Sequence, residues 1–233
     1  HFVALKANGE VWTWGQNGSG QLGLNDKVTR TKPTKTDIYT TDNEEQINVI
    51  DVAAGSEHTL VLKADGTVWA VGKNNYGQLG NGTTNDSSEF VQIKDAQGEN
   101  YLENVVQIAA SNGTSYALLA DGTVYSWGSN SNGQLGIGKT DSVAHTLPTK
   151  VSRISGIMQV AAGGNHAIFV EARGNAWGVG YNEYGQLGLG NNTKNISVPT
   201  QIRNVSNSGA LTGVKQASAG ENHTVIALEN KTA

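Results

Sequence analysis

The stretch His58-Thr-Leu-Val-Leu-Lys-Ala-Asp65-Gly66-Thr-Val-Trp69-Ala-Val-Gly72 decides how this chain folds. Two runs of mostly apolar residues with period-two alternation flank an Asp-Gly pair, the signature of a β-hairpin, because alternate side chains of a strand share one face. The Asp-Gly pair predicts a two-residue type I′ turn with positive φ at both central residues. Directly behind the hairpin comes Lys73-Asn74-Asn75-Tyr76-Gly77-Gln78-Leu79-Gly80, and its last four residues recur at 20–23, 133–136 and 185–188, spacings of 57, 56 and 52 residues. A period of this size is the mark of a repeat architecture.

Working outward, each hairpin after the first is preceded by a small-residue strand: Val52-Ala-Ala-Gly55, Ile108-Ala-Ala-Ser111, Val160-Ala-Ala-Gly163 and Ala217-Ser-Ala-Gly220. Small side chains let neighbouring backbones approach closely, so this strand is expected nearest an axis. Each Gly-Gln-Leu-Gly is followed by an uneven polar stretch and a short strand, Pro-bearing in three of the four repeats, which fits an outer edge. Four strands per unit, each unit needing neighbours to cover its faces, is the arithmetic of a β-propeller blade. No segment keeps a 3.6-residue period over three turns, which excludes a helical solenoid. The expected fold is all-β, a propeller of four-stranded antiparallel blades with about four repeats. The 233 residues form one propeller segment, with units at approximately 1–51, 52–107, 108–159 and 160–216 and a partial unit at 217–233.

At this point the sequence resembles a known family. His-Thr-Leu-Val-Leu-x-x-Asp-Gly-Thr-Val-Trp-x-x-Gly-x-Asn-x-Tyr-Gly-Gln-Leu-Gly is similar to the regulator of chromosome condensation repeat, and matching units cover nearly the whole chain. The resemblance implies a wheel that has seven blades when complete. Because the chain opens and closes on the same strand of the repeat, at 2–6 and 224–228, it is expected to be a piece of a longer array. Self-association through the open blade edges is expected with it.

Composition narrows function. Thirty glycines, 15% charged residues and a net charge of -4 leave no basic patch for nucleic acid. No apolar run approaches the roughly 20 residues of a membrane span. The absence of cysteine excludes disulfides, thiolate metal sites and a Cys nucleophile. No nucleophile elbow, His-Glu-x-x-His helix, Ca²⁺ loop or spaced carboxylate pair occurs, so no enzyme, cofactor or metal is expected.

The repeated residues read first as structure. Trp12, Trp69, Tyr125 and Trp177 share one repeat position, with the small Thr13, Ala70, Ser126 and Gly178 on the opposite strand face, so bulky-on-small packing between blades is expected. His1, His58, His166 and His223 share another position, with Tyr116 in the third repeat, and are expected to bond neighbouring turns. In the Gly77-Gln78-Leu79-Gly80 turn, Leu is expected to anchor inward and Gln to bond backbone groups; no Lys-Ser/Thr ending or following helix supports phosphate binding.

What remains for a partner is the uneven stretches 25–46, 82–104, 138–156 and 190–213, since binding residues concentrate on loops above a rigid scaffold. Tyr76 and Tyr184, with Asn74 and Asn182, are the expected contacts, an apolar ring with a wet hydroxyl being common in interface hot spots. The first expectation is therefore a non-enzymatic scaffold that binds a protein through rim loops, bacterial and extracellular or at the cell surface, with a cytoplasmic place as the alternative. The second is a structural or adhesive repeat within a larger surface protein. The resemblance adds two narrower activities known in the family: guanine nucleotide exchange on a small GTPase, and inhibition of a β-lactamase.

Overall fold

A computed structural model describes residues 1–38 and 49–229; residues 39–46 of the uneven stretch 25–46 lie outside them. Seventeen strands and no helix occur among the described residues. β4 (Val49–Ala54), β5 (His58–Lys63), β6 (Val68–Gly72) and β7 (Ser87–Gln92) pair in that order as one antiparallel blade. β8 (Val105–Ala110) to β11 (His145–Lys150), with β9 (Thr114–Leu119) and β10 (Val124–Gly128), form the next, and β12 (Ile157–Ala162), β13 (His166–Glu171), β14 (Ala176–Tyr181) and β15 (Asn195–Gln201) a third. These complete blades are flanked by a three-stranded sheet, β1 (Phe2–Leu5), β2 (Val11–Gly15) and β3 (Arg30–Thr36), and by the pair β16 (Val214–Ala219) and β17 (Thr224–Leu228).

The strands β4, β8, β12 and β16 pack on one another at the axis, as their small residues required. The core is not inside the blades but between them. Leu60, Leu62, Val68, Ala70 and Leu79 of one blade meet Ile108, Ala117 and Trp127 of the next. The same pattern joins Tyr116, Leu118 and Val124 to Val160, Phe169 and Val179, and Ile168, Val170 and Leu187 to Val214 and Ala217. Between the first two sheets, Val11 and Ile38 meet Val49, Val61 and Trp69. Tyr125 and Trp177 are half-buried against the same interfaces, and Trp12 lies on the corresponding face of the first sheet.

The opposite face is small for a local reason: the turn leucine folds back over it. Leu22, Leu79, Leu135 and Leu187 are fully buried. Thr13 Oγ1 and Ser126 Oγ donate to the carbonyls of Leu22 and Leu135, at 2.8 and 2.7 Å, and a Cβ on Gly178 would press on Leu187 Cβ at 3.1 Å.

The hairpin turn differs from the sequence expectation. Gly9, Gly66, Gly122 and Gly174 have φ near +80°, but Asn8, Asp65, Asp121 and Arg173 are not in the left-handed region. Gly66 N–H donates to Lys63 O, and Lys63 N–H to Thr67 O. This is a three-residue hairpin loop, an ordinary turn closed by a left-handed glycine bulge, rather than type I′. Only the glycine is conformationally demanded, which is why Arg173 can stand where the other repeats have Asn or Asp.

The uneven stretches are likewise not single loops. Each encloses an outer strand, β7 within 82–104, β11 within 138–156 and β15 within 190–213, so its two halves emerge on opposite faces of the propeller.

Side-chain amides stitch the axial strands together. Gln107 Oε1 accepts Val160 N–H at 2.8 Å while its Nε2 donates to Val160 O at 3.3 Å, and Gln159 repeats both bonds with Ala217 at 2.9 and 3.0 Å. Asp51 occupies the matching place in β4, where it accepts Val52 N–H of its own strand at 2.9 Å but across the seam only one long bond of 3.5 Å from Ile108 N–H, and burial holds its carboxyl above the usual range. Asp51→Gln supplies the missing donor and removes a half-buried charge. It is expected to raise stability by about 1 kcal/mol at pH 7, read as a higher urea midpoint; an unchanged or lower midpoint would contradict this reading of the stitch.

Candidate functional site

One face of the propeller carries the Gly-Gln-Leu-Gly turns, the other the hairpin turns, because β6, β10 and β14 run from one to the other. On the first face, every turn is held from both sides by buried amides. Asn74 Oδ1 accepts Leu79 N–H at 2.9 Å and its Nδ2 donates to Thr83 O at 3.0 Å. Asn182 does the same with Leu187 N–H and Asn191 O at 3.0 and 3.1 Å. Gln78 Oε1 accepts Tyr76 N–H at 2.9 Å, and Gln186 Oε1 accepts Tyr184 N–H at 3.1 Å.

This corrects the expectation that Asn74 and Asn182 meet a partner. Both are fully buried, and their amides are spent on the turn, where unpaired backbone groups would be costly. The equivalent Asn17 and Asn130 make the same bonds to Leu22 and Leu135, a signal the repeat alignment carried. Tyr76 and Tyr184, by contrast, stand 45% and 69% exposed on those rigid turns. They are not brought together: Tyr76 covers Gly113 of the following blade, and Tyr184 packs edge-on against Tyr181 at 5.9 Å.

Beside Tyr76 the face is recessed. A cavity of about 270 Å³ is lined by Glu57, Lys73, Tyr76, Asn112, Ser131 and Asn165 among others. Its one ion pair, Lys73 Nζ to Glu57 Oε2 at 2.5 Å, holds the carboxyl below and the ammonium above their usual ranges. Towards the axis, Ser56, Asn112, Gly164 and Glu221 form a polar rim, with Ser56 Oγ donating to Asn112 O at 2.6 Å. The result is a shallow, rigid surface rich in Ser, Asn and Tyr. Among the described residues, no three His, Asp or Glu side chains cluster to hold a metal ion.

The histidines form a different device. His58 Nε2 lies 3.0 Å from Ser115 Oγ in the next blade, and that hydroxyl donates onward to Gln78 O at 2.8 Å. Because the carbonyl can only accept, the imidazole must donate, which assigns the proton to Nε2. His166, Thr224 and Gln186 repeat the relay at 3.1 and 2.8 Å, and His1, Thr59 and Gln21 at 2.8 and 2.8 Å. The rings of His58, His166 and His223 each lie against the glycine three residues earlier, Gly55, Gly163 and Gly220, where a Cβ would collide with them. His223, in the last of the described sheets, is exposed.

Strand register corrects the placement of Tyr116. Gly72 faces His58 and Gly180 faces His166, but Gly128 faces Thr114. Thr114 therefore occupies the histidine position, and three changes accompany it. Ser111 replaces the glycine, since there is no ring to clear, and Ala167 replaces the accepting hydroxyl of the next blade. Tyr116 OH then takes over the orphaned carbonyl, donating to Gln134 O at 2.9 Å. Tyr116→Phe is expected to cost about 2 kcal/mol by stranding that carbonyl. Adding Ala167→Ser should recover most of the loss, measured by urea unfolding; a double variant no better than the single would refute the substitution of one donor for the other.

Comparisons with known proteins come to the same place. A family model described as RCC1-like domain matches residues 1–232. The ultraviolet-B receptor UVR8 of Arabidopsis thaliana is 34% identical over 205 residues, covering 87% of this chain and 44% of its own length. The human X-linked retinitis pigmentosa GTPase regulator is 32% identical over 277 residues, with 97% of this chain and 26% of its own length covered. The chain thus spans less than half the length of these curated relatives. They are eukaryotic and lend no support to the expected bacterial origin. Among solved structures, human WBSCR16 and yeast RCC1 (Prp20) bound to Kap60 each superpose with a TM-score of 0.80, at 22% and 23% identity, over 98% of this chain and 55% and 52% of theirs. Its repeats, its blade order and a family match from end to end make this chain a member of the RCC1-like domain family.

Proposed function

We propose that this chain is a non-enzymatic protein-interaction scaffold that docks its partner on the face bearing the Gly-Gln-Leu-Gly turns. The observation that carries the reading is the pairing of exposed Tyr76 and Tyr184 with turns locked by buried Asn and Gln amides. Aromatic anchors on a surface that needs no ordering lose little entropy on binding. The solved relatives lend support in kind: one is yeast RCC1 bound to Kap60, and another is Prp20p from Saccharomyces cerevisiae, with binding to Gsp1p and histones.

Replacing residue 76 or 184 with a photo-crosslinking phenylalanine tests this, with Val205, a fully exposed residue of a connection on the hairpin-turn side, as the control position. Positions 76 and 184 are expected to yield discrete protein adducts that excess unlabelled protein competes away, and position 205 to yield none of them. Identical adducts from all positions, or none, would overturn the assignment. Nucleotide release from small GTPases, measured alongside, separates simple docking from exchange activity.

A further inference from the structure

The hairpin face, on the other side of the molecule, carries a feature that the proposed docking at Tyr76 and Tyr184 does not use. Backbone bonds link its turns into a continuous arc: Val105 N–H donates to Gly66 O, Ile157 N–H to Gly122 O and Val214 N–H to Gly174 O, while Ala120 and Ala172 close back on Asn104 and Gly156. The arc is therefore rigid. Each axial strand begins on it with a bulge, between Val49 and Asp51, Val105 and Gln107, and Ile157 and Gln159. The extra residue stands outward: Ile50, Val106 and Met158 are 52%, 52% and 55% exposed. Three large apolar side chains at one repeat position on adjoining strands serve no blade interface, and such a cluster is uncommon on a surface without a partner.

Charge sorts itself around this apolar centre. In chain order the arc carries the exposed Asp65, Glu103 and Asp121, then the exposed Arg153, Arg173 and Lys215. Among the described residues none of Glu103, Arg153, Arg173 or Lys215 joins an ion pair, so their charge is turned to solvent. Lys150 beside Asp121 and Glu229 beyond Lys215 interrupt the two arcs without reversing them. The acidic half disfavours nucleic acid and anionic lipid, both of which want an unbroken basic surface.

We infer that the hairpin face docks a linear protein segment with basic residues at one end, an apolar centre and acidic residues at the other. The basic end lies over Asp65, Glu103 and Asp121, the apolar centre on Ile50, Val106 and Met158, and the acidic end over Arg153, Arg173 and Lys215. Complementary charge fixes direction and register, and the apolar centre supplies most of the affinity. A segment is favoured over the flat face of a second copy because the charges follow one another along a curve.

The test uses two synthetic peptides of identical composition on the whole chain, Lys-Lys-Lys-Gly-Leu-Phe-Leu-Gly-Glu-Glu-Glu and a version with lysines and glutamates alternating at both ends, read by fluorescence anisotropy at low salt. The blocked peptide is expected to bind on the order of tenfold more tightly than the alternating one. The surface substitutions Val106→Asp with Met158→Asp should abolish that binding, and Arg153→Glu with Arg173→Glu should erase the preference, while Tyr76→Ala with Tyr184→Ala leaves both unchanged. Equal binding of the two peptides, or preference surviving the arginine reversals, would overturn the inference. So would dimerisation lost in Met158→Asp, which would make a second copy the occupant, or binding to phosphatidylserine vesicles in place of the peptide.

Discussion

Gly77→Ala is expected to lower stability by about 3 kcal/mol or more, while Gly185→Ala, at the same repeat position, costs about 1 kcal/mol. Both glycines sit at positive φ, +81° and +73°, so both variants incur the left-handed penalty of a Cβ. They differ in what faces them. A Cβ on Gly77 would lie 2.6 Å from Thr146 Cα and 2.7 Å from His145 O in the outer strand of the following blade. Those are backbone atoms of a paired strand and cannot swing away as a side-chain tip could. A Cβ on Gly185 would meet nothing within 4 Å. The difference between the two variants therefore isolates the blade-to-blade contact from the turn geometry. Urea unfolding with unchanged slope measures it; equal losses at both sites would mean that the turn matters only within its own blade.

The blades were legible because the repeat imposes two strong signals at once, strand alternation and glycines at fixed offsets. Leu79 and its equivalents, the axial small-residue strands and the bulky-on-small faces all follow from spacing and size. The type I′ turn was misjudged because Asp-Gly suits two hairpin geometries, and only the count of bonded residues between the strands separates them. Tyr116 was misplaced because aromatic character suggested equivalence with histidine, when the pairing with Gly128 puts Thr114 there. Asn74 and Asn182 looked like rim residues because a polar amide beside an exposed tyrosine reads as surface, and nothing local reveals that its bonds close a loop nine residues away. The sorted charges of the hairpin arc escaped for the same reason: Asp65, Glu103 and Lys215 are far apart in sequence and meet only around the axis.

Acid should loosen the wheel before its carboxylates protonate. Burial holds His58 and His166 at about 4, well below the ordinary 6.5. A group whose folded value is depressed contributes stability that is complete above 6.5 and is lost as pH falls towards 4, because the unfolded chain takes up the proton first. For His58, which is fully buried, that amounts to about 3 kcal/mol over the whole window, at roughly 1.4 kcal/mol per pH unit. The cause is the relay itself. Nε2–H is committed to Ser115, so a second proton must enter at Nδ1, a buried nitrogen with no hydrogen-bond partner, pressed against Gly55. The carboxylates held low by ion pairs, Glu10 and Asp141, begin to matter only below about 4.5. Asp51, held above its usual range, is common to a His58 variant and the unsubstituted chain, so over the interval from 6.5 to 5 the difference between them reports His58. His58→Gln keeps a donor for Ser115 and removes the titration. Its unfolding free energy, measured by urea across that interval, should fall with a clearly shallower slope than that of the unsubstituted chain. Identical slopes would show that the imidazole is protonated in place, and that the relay tolerates the charge.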